Sequence, residues 1–398
     1  MILLTQDQES ALKKAVKWYK GCRDLVFTIL GCAGSGKSTL IKYICEYLRL
    51  NIDTQVKFVC FTGKAAQILN KKGLPAVTIH RLIYLPVEYS VIENGRMVIK
   101  IKFELRKSLE DTNIQLLVLD EGSMVSDALL ADILSFKIRL IILGDEAQLP
   151  PVEGDTNKFF KNPDMRLTQI VRQALDNPII YYATQVREGK SLSLCNIEKK
   201  FAVITKSNIT DRMLTKADQI ICGKNTTRNS LNLYMREILH YKEEYPMQGE
   251  KLVCKRNNWN LAIDWKGQAL PLINGTIGFI KEDARVIKQA VMLDEDKVSM
   301  ISNYFIDFKP DFVEEDNYFN NIRIDKDSLE SGLVTAKSSD KELNYFNWGY
   351  AISCHVSQSA EYNKVVVFEE CFGDAEFHKR WLYTAITRAK EKIIIVKE

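Results

Sequence analysis

Residues 31–39, which read GCAGSGKST, constrain this chain more than any other stretch. They satisfy the pattern G-x-x-x-x-G-K-[ST], follow the apolar run at 25–30 and precede an amphipathic stretch at 40–48. A strand, a glycine-rich loop and a helix in this order direct backbone N–H groups and the positive helix end at a bound phosphate. We therefore predict an α/β fold that binds a nucleotide at this P-loop.

The residue types of the P-loop indicate separate roles. Lys37 is predicted to reach the β- and γ-phosphates of ATP, and the Ser38 hydroxyl is predicted to ligate Mg²⁺. The remaining nucleotide-binding positions are expected to be Gly34, Ser35, Gly36 and Thr39.

Short apolar runs rich in β-branched residues recur between helix-like stretches. Strands buried on both faces of a parallel sheet have this continuously apolar character. The first set of runs lies at 25–30, 56–62, 114–120 and 138–145. A second set lies at 217–223, 364–370 and 391–396. The pattern predicts two α/β domains with parallel sheets.

Two stretches depart from this alternation of apolar runs and helix-like segments. Residues 87–103 alternate on either side of Asn94-Gly95, which predicts a β-hairpin projecting from the first domain. Residues 246–346 are strand-like and irregular, with a second Asn-Gly pair at 274–275. They are predicted to form a small β domain inserted in the second α/β domain.

Length and composition narrow the classes of protein to which this chain can belong. The 398 residues leave room for two sizeable domains, and no run approaches the ~18 apolar residues that a membrane span needs. Nine scattered cysteines without a CxxC pair suggest neither a zinc site nor a disulfide framework. The first residues do not resemble a secretory signal, so the cytoplasm is the expected compartment. A net charge of +4 is compatible with a polyanionic partner but does not require one.

Acidic and polar residues stand at the ends of two further apolar runs. Asp120 and Glu121 follow the run at 114–120, and ligands of open α/β sheets bind outside these strand ends. Asp120 is predicted to hold Mg²⁺, and Glu121 to orient and deprotonate an attacking water, which favours hydrolysis over transfer to a small substrate. Asp145 and Gln148 follow the run at 138–145 and are predicted to sense the γ-phosphate.

These signatures resemble those of superfamily 1 helicases of the 5′-to-3′ branch, the RecD/Dda-like group. The resemblance runs along nearly the whole chain. Besides the three signatures above, it is carried by residues 4–11, 62–66, 78–82, 167–173, 221–232, 249–258, 272–278, 353–361 and 383–390.

The resemblance implies further residues of the nucleotide site. It places Gln8 on the adenine base and adds Glu361 to the nucleotide-binding set. It also makes Arg172 and Arg388 arginine fingers, which agrees with the suitability of a guanidinium for neutralising charge on a γ-phosphoryl group.

The resemblance also implies contacts with DNA. The implied residues are Thr62, Lys64, His80, Asn225, Arg228, His355 and Ser357. The hairpin lies where relatives carry a strand-separating wedge. Tyr89, Met97 and Phe103 could stack on bases there, or they could pack on the face of their own strands.

The resemblance implies a domain scheme and a set of partners. The two RecA-like domains would comprise residues 1–83 with 104–175 and residues 176–245 with 347–398, leaving 84–103 as the hairpin and 246–346 as an SH3-like β domain. Single-stranded and partially duplex DNA would be the partners of a monomer in a phage or bacterial cytoplasm, with single-strand-binding or replication proteins as further partners.

Three readings remain open from the sequence. The first is a DNA helicase that moves 5′-to-3′ with ATP hydrolysed between the two RecA-like domains. The second is a translocase that displaces proteins, or an RNA helicase, since these motifs do not distinguish the sugar. The third, a P-loop kinase or an ATP-gated binding module, is disfavoured by Glu121 and the two late arginines.

Overall fold

A computed structural model describes most of the chain. The described residues are 4–93, 96–109, 113–150, 158–171, 176–264, 269–294, 297–313, 316–331, 343–358 and 360–397. They divide into two compact units. The first unit comprises Met1–Val203, Ser357–Asn363 and Cys371–Ile393, and the second comprises Ile204–Val356, Lys364–Glu370 and Ile394–Glu398.

The first unit is built on a six-stranded parallel sheet and a hairpin. Its strands are β1 Val26–Gly31, β2 Val56–Cys60, β3 Ala76–Thr78, β4 Tyr84–Glu93, β5 Arg96–Leu105, β6 Leu116–Leu119, β7 Arg139–Gly144 and β8 Met165–Leu167. The sheet order is β3-β2-β6-β7-β1-β8, and every described pairing within it is parallel. The parallel sheet predicted from the four apolar runs is confirmed.

Seven α-helices of this unit precede residue 203 in the described part of the chain, besides a 3₁₀ turn at Gly122–Met124. They are α1 Gln6–Gly21, α2 Lys37–Leu48, α3 Gly63–Lys71, α4 Ile79–Ile83, α5 Asp127–Leu134, α6 Lys158–Lys161 and α7 Pro178–Arg187. Side chains set several of their starts: Thr5 and Gln8 form a capping box at α1, and Thr62, Thr78 and Ser126 cap α3, α4 and α5.

The two faces of this sheet belong to two separate apolar cores. Phe27 and Ile29 of β1 face a core that α1 and α2 complete with side chains such as Leu40. Leu30 of the same strand faces the opposite core, which includes Ile133 of α5. Because successive residues of a strand point to opposite faces, a strand covered on both sides presents apolar side chains to both, as β1 does except at the buried Thr28.

The segment predicted to be a β-hairpin contains two long antiparallel strands. β4 and β5 pair from Tyr84 with Leu105 to Glu93 with Arg96. The Asn94-Gly95 pair that motivated the prediction lies outside the described residues.

The second parallel sheet contains strands of the later apolar runs. Its strands are β9 Cys195–Ile197, β10 Phe201–Thr205, β11 Gln219–Cys222, β20 Ala351–Ser353, β21 Tyr362–Phe368 and β22 Ala389–Lys397, in the order β20-β11-β21-β22-β10-β9. β11 runs parallel to both of its neighbours, and β9 adds an antiparallel edge. The helices that follow residue 203 are α8 Asp211–Thr215, α9 Asn225–Ile238, α10 Lys326–Ser331 and α11 Ala375–Ile386.

The segment predicted as an inserted β domain contains an antiparallel sheet. Its remaining strands are β12 Lys251–Cys254, β13 Asn258–Asp264, β14 Ala269–Leu272, β15 Ile277–Ile280, β16 Arg285–Asp294, β17 Lys297–Pro310, β18 Phe319–Ile324 and β19 Phe346–Trp348. The main sheet has the order β16-β17-β15-β12-β19, with β18 paired to β17 and β13-β14 as a separate hairpin. Phe308, Phe319 and Phe346 form an aromatic core in it.

The contact-defined units differ from the predicted domain boundaries. The scheme assigned all of 347–398 to the second α/β domain, whereas 357–363 and 371–393 group with the P-loop unit. Helix α11 lies in the second of these stretches, and its Tyr383 and Thr384 hydroxyls accept hydrogen bonds from the N–H groups of Ala33 and Leu149. Across the described residues, no helix is both long and apolar enough for a bilayer crossing.

Candidate nucleotide site and nucleic-acid contacts

The P-loop leaves the start of α2 open to an anion. Gly34 and Gly36 have φ values of 80° and 75°, in the left-handed region that favours glycine. Gly36 is the N-cap of α2, and no side chain within the described residues caps this helix end. The first turn also lacks an acidic residue, so its N–H groups and positive dipole end can meet a phosphate.

Two polar side chains of the P-loop fit the same ligand. The Lys37 ammonium donates to the carbonyl oxygens of Gly31 and Cys32 at 2.5 and 3.3 Å, so the loop itself holds this cation. The Ser35 hydroxyl is buried and has no hydrogen-bond partner in the described part of the chain. A buried hydroxyl of this kind is costly unless a ligand or a water satisfies it.

The Gln8 side chain contacts the backbone of the P-loop. The Gln8 amide donates to the Ser35 carbonyl at 2.9 Å and accepts from the Thr5 N–H at 2.9 Å. A Cβ at Gly36 would lie 2.5 Å from Gln8 Nε2 and 3.2 Å from Val171 Cγ2. The structure therefore places the Gln8 side chain against the P-loop backbone, and its contact with adenine stays a prediction.

Asp7 joins this segment to the strand end of β8. Its carboxylate accepts hydrogen bonds from the N–H and hydroxyl of Thr168 at 2.7 and 2.8 Å, and from the Gln169 N–H at 3.1 Å. Burial acts to raise the pKa of Asp7, but these hydrogen bonds outweigh it and the pKa lies below its ordinary value. Neither Asp7 nor Thr168 was predicted as a site residue from the sequence.

Asp120 and Glu121 stand at the end of β6, as predicted from their apolar run. Burial raises the pKa of Asp120, and the neighbouring Lys37 ammonium opposes that shift. Burial and the Asp120 carboxylate raise the pKa of Glu121, whereas Arg388 and Lys37 oppose the shift. Glu121 also has a φ of 54°, a strained value for a residue with a side chain, and such strain clusters at functional sites.

The loop after β7 carries Asp145 and Gln148, and both are buried. The Asp145 carboxylate accepts from the Ala147 N–H at 3.0 Å and from the Tyr383 hydroxyl at 2.6 Å. The backbone of Leu149 is bonded on both sides: its N–H donates to the Thr384 hydroxyl at 2.9 Å, and its carbonyl accepts from the Gln358 amide at 2.9 Å. The residue before it, Gln148, is thereby held in place.

Of the two predicted arginine fingers, Arg388 is described and Arg172 lies outside the described residues. Arg388 is buried, and its guanidinium donates to the carbonyls of Thr384 and Ala360 at 3.0 and 3.3 Å and to the Thr387 hydroxyl at 3.0 Å. These hydrogen-bond acceptors are neutral, and the charge of Arg388 acts on the Glu121 and Glu361 carboxylates, whose pKa values it acts to lower.

Glu361 forms an ion pair with Lys390, with 3.0 Å between oxygen and nitrogen. Burial acts to raise the pKa of Glu361, but Lys72, Lys390 and Arg388 together lower it below its ordinary value. Its carboxylate is therefore engaged by cations of the protein.

A cavity of about 340 Å³ lies beside the start of the P-loop. Its lining includes Cys32 and Asp145 together with four cations. These cations are Arg166, Arg187, Lys379 and Arg380. Glu146 pairs with Arg166, and Glu376 pairs with Lys379 and Arg380. Arg187 of α7 was not anticipated from the sequence, because its position in a helical stretch gives no sign that it faces the P-loop.

The DNA-contact candidates of the first unit lie near the ends of β2 and β3. Thr62 caps α3 by accepting from the Ala65 N–H at 3.2 Å. The Lys64 ammonium lies 4.6 Å from the centroid of the Tyr362 ring. His80 is half-buried, and burial lowers its pKa. Ser357 is fully buried, which is a position for a structural hydroxyl rather than an exposed phosphate contact.

In the second unit, Asn225 and Arg228 lie together on the first turn of α9. The Arg228 guanidinium donates to the side chains of Asn225 and Asn229 at 2.8 to 3.2 Å. Arg228 is buried and Asn225 is exposed. His355 is half-buried, and burial lowers its pKa.

Two of the three hairpin candidates can be placed. Tyr89 is 40% exposed, with the Lys102 ammonium 5.8 Å from its ring centroid, and Phe103 is half-buried. The Met97 side chain lies outside the described residues. Among the described residues, no cluster of three or more His, Cys, Asp or Glu side chains could hold a metal ion by itself.

Known families match both parts of the chain. Residues 349–396 match the family described as UvrD-like helicase C-terminal domain. Residues 3–206, more than half of the chain, match the family described as AAA domain. The chain belongs to the AAA domain family.

Two curated proteins are similar to this AAA-domain chain. The ATP-dependent RecD2 DNA helicase of Deinococcus radiodurans is 26% identical over 422 residues, covering 98% of this chain and 48% of the relative. The ATP-dependent DNA helicase dda of Enterobacteria phage T4 is 34% identical over 200 residues, covering 47% of this chain and 43% of the relative. The chain spans about half the length of these relatives. The predicted resemblance to the RecD/Dda-like branch of superfamily 1 is confirmed by these two similarities.

A solved structure extends the likeness of the AAA-domain chain to the fold. It concerns DNA unwinding at forked duplex DNA by two coordinating Pif1 helicases, and it covers 99% of this chain and 92% of its own. The TM-score is 0.50 at 18% sequence identity. This likeness supports the α/β architecture of parallel sheets with added β elements.

Proposed function

We propose that this chain is an ATP-dependent DNA helicase that moves 5′-to-3′ along single-stranded DNA and separates duplex DNA. One observation carries the proposal: helix α11, which ends shortly before Arg388, is hydrogen-bonded to the P-loop. Its Tyr383 hydroxyl accepts from the Ala33 N–H at 2.9 Å and donates to Asp145 at 2.6 Å. Arg388 and Lys37 also both oppose the raised pKa of Glu121. A P-loop alone binds phosphate, whereas a carboxylate and an arginine beside it supply what hydrolysis needs. The names of the RecD2 and dda relatives describe ATP-dependent DNA helicases.

The residues of the site divide the chemistry of hydrolysis among them. The uncapped N–H groups of the P-loop and Lys37 bind the phosphates. Glu121 orients the attacking water and accepts its proton, for which a raised pKa is suitable. Gln148 helps to orient this water, and Arg388, with Arg172, neutralises charge that develops on the γ-phosphoryl group.

Mg²⁺ is the proposed cofactor. Asp120 and the Ser38 hydroxyl would hold it, and the phosphates and water would complete its coordination. Mg²⁺ in nucleotide sites keeps few protein ligands, so the pair of oxygen donors fits this ion better than a closed cage would. When bound, the ion neutralises charge on the phosphate oxygens.

The proposed DNA contacts follow from the exposure of the candidate side chains. Asn225, Thr62, Lys64, His80 and His355 retain exposed surface and can meet phosphates or bases. Arg228 and Ser357 are buried, so their proposed role is to orient neighbouring groups. ATP hydrolysis between the two RecA-like domains would drive movement along the strand. The protein would act as a monomer, with single-strand-binding proteins as partners.

The hairpin is the proposed strand separator, and shortening it offers a test. Removal of residues 93–96 should lower the rate of duplex unwinding at least about 10-fold while DNA-stimulated ATP hydrolysis stays within about twofold, because none of the residues assigned to the nucleotide site lies in β4 or β5. Steady-state hydrolysis and unwinding are measured on the same preparation. Equal loss of both rates would contradict the role of a wedge.

The function is tested with partial duplexes that carry a 5′ or a 3′ single-stranded tail. With ATP and Mg²⁺, the protein should unwind the substrate with the 5′ tail, and Lys37→Ala should unwind neither. Preference for the 3′ tail would contradict the direction of movement. Hydrolysis that single-stranded DNA does not stimulate would contradict a motor, and stimulation by RNA alone would favour an RNA helicase.

A further inference from the structure

Tyr383 joins two parts of the nucleotide site through its hydroxyl group. The ring is buried in α11, with 1% of its surface exposed. The hydroxyl accepts a hydrogen bond from the Ala33 N–H of the P-loop at 2.9 Å and donates one to the Asp145 carboxylate at 2.6 Å. One phenol therefore connects the P-loop, which follows β1, with the loop that follows β7.

The same helix holds the rest of the β7 loop. The Thr384 hydroxyl accepts from the Leu149 N–H, and Gln358 donates to the Leu149 carbonyl. The loop is thus bound at Asp145 and at Leu149, on both sides of Gln148. The guanidinium of Arg388 is bonded to the carbonyl of Thr384, so α11 also fixes the arginine.

The direction of the two hydrogen bonds requires a hydroxyl at this position. Burial and the Asp145 carboxylate raise the pKa of Tyr383, so the phenol stays protonated and donates to the carboxylate. A backbone N–H can only donate, so the phenol oxygen must accept from Ala33. Phenylalanine would keep the ring in its buried place but would break both links.

We infer that Tyr383 is a positioning residue of the nucleotide site. Its hydroxyl holds the P-loop and the loop after β7, which carries Gln148 and is called the Gln148 loop, in the relative position that hydrolysis requires. The inference rests on the proposed function, since it assigns Tyr383 a part in hydrolysis at this P-loop. Nucleotide affinity depends on the other P-loop N–H groups and on Lys37, which Tyr383 does not contact in the described structure. Reaction rate depends on the placement of Gln148 and Arg388, and small misplacements of catalytic groups are costly.

The kinetic test compares Tyr383→Phe with Tyr181→Phe, which removes a hydroxyl from an exposed ring on α7 in the same unit. With saturating single-stranded DNA and Mg²⁺, Tyr383→Phe should lower kcat at least about 10-fold and leave KM for ATP within about twofold. Tyr181→Phe should match the wild type. An unchanged kcat, or a raised KM with an unchanged kcat, would overturn the inference.

A double-mutant cycle with Asp145→Asn tests the link itself. Because Tyr383→Phe removes the donor and Asp145→Asn removes the charged acceptor of the same hydrogen bond, Tyr383→Phe should add little to the loss of kcat caused by Asp145→Asn. Additive losses would mean that the two side chains act separately and would overturn the inference. If circular dichroism shows that Tyr383→Phe does not fold, Asp145→Asn alone must lower kcat without raising KM.

Amide hydrogen exchange separates this inference from the proposed function. In the protein without nucleotide, the Ala33 N–H should exchange several-fold faster in Tyr383→Phe than in the wild type, and Tyr181→Phe should not differ from the wild type. A wild-type protein without DNA-stimulated hydrolysis would contradict the proposed function alone. Unchanged exchange at Ala33 would contradict the role of Tyr383, whatever the hydrolysis rate.

Discussion

Helices α2 and α9 each follow a buried strand of a parallel sheet, and their N-terminal ends are satisfied in opposite ways. At α2, within the described residues, no side chain caps the helix end, and the P-loop N–H of Ala33 meets the neutral Tyr383 hydroxyl rather than a carboxylate. At α9, the Glu370 carboxylate accepts from the N–H groups of Gly223 and Lys224 at 2.6 and 2.8 Å, and from the Thr227 hydroxyl at 2.6 Å. At α9 the Glu370 carboxylate is the anion that accepts these hydrogen bonds, whereas the N-terminal end of α2 remains available to a bound anion.

The neighbouring strands show how this difference arises. β7 lies beside β1 and ends near Asp145, whereas β21 lies beside β11 and is followed by Glu370. Tyr383 engages Asp145, while Glu370 reaches the N–H groups ahead of α9. An acidic residue at a strand end therefore has two uses: it can fill an anion site, or it can stand beside one that stays open. The four predictions that follow test this contrast.

Lys37→Ala should have the largest effect on the open site. Loss of the ammonium removes the cation from the β- and γ-phosphates, and ATP hydrolysis should fall at least about 100-fold. The fall is measured as the steady-state rate of ATP hydrolysis in the presence of single-stranded DNA. Lys42→Ala, which removes an exposed lysine from the same helix, is the matched control and should retain the wild-type rate.

Glu370→Ala should have the largest effect on the filled site. It leaves two N–H groups and a hydroxyl without their acceptor, which should lower the free energy of unfolding by about 3 kcal/mol. Urea unfolding measures the change, with the exposed Glu282→Ala of the same unit as control. Inorganic phosphate should raise the free energy of unfolding of Glu370→Ala more than that of the wild type. Equal stabilisation of both proteins would mean that the position vacated by the Glu370 carboxylate is not an anion site.

Gly36→Ala should weaken the open site through the backbone. The added Cβ would meet Gln8, which two hydrogen bonds hold in place, and alanine disfavours the left-handed φ. ATP affinity, measured by titration, should fall about 10-fold. The equivalent position of α9 is Lys224, whose φ of −91° suits any residue, so Lys224→Ala should leave ATP affinity unchanged. Similar losses in both variants would remove the distinction between the two helix ends.

Asp7→Asn should have the smallest effect, and only in a defined pH range. Asp7 resembles Glu370 in binding backbone N–H groups, and its pKa lies below the ordinary value of 3.8. Its carboxylate therefore adds stability above about pH 4, and this stability is lost as pH falls through the lowered pKa. Urea unfolding at several pH values should show the wild type and Asp7→Asn converging below pH 4, with Glu9→Gln, at an exposed side chain of the same helix, as the matched loss of one acidic group.

The sequence predicted the parts of the molecule that depend on local pattern. The P-loop, the buried strands and the hairpin all follow from short stretches whose residue types permit few alternatives. The positions of Asp120 and Glu121 followed from the rule that ligands of such sheets bind beyond the strand ends.

The contacts that organise the site could not be predicted in the same way. Tyr383 and Ala33 are 350 residues apart, and neither neighbourhood indicates the other. Gln8 and Arg228 lie within recognisable motifs, but their partners in the structure are protein groups that only the folded chain brings together. A motif predicts which residues belong to a site, whereas the packing decides which of their atoms are already occupied.

Helix α11 also carries Trp381, two residues before Tyr383. The indole is fully buried, and its ring lies 5.9 Å from Phe372 and 6.4 Å from His378, measured between centroids. Trp381 is therefore an intrinsic fluorophore on the helix that connects the P-loop with the Gln148 loop. In a variant that retains only this tryptophan, the emission spectrum would report the surroundings of α11 directly, without an attached dye.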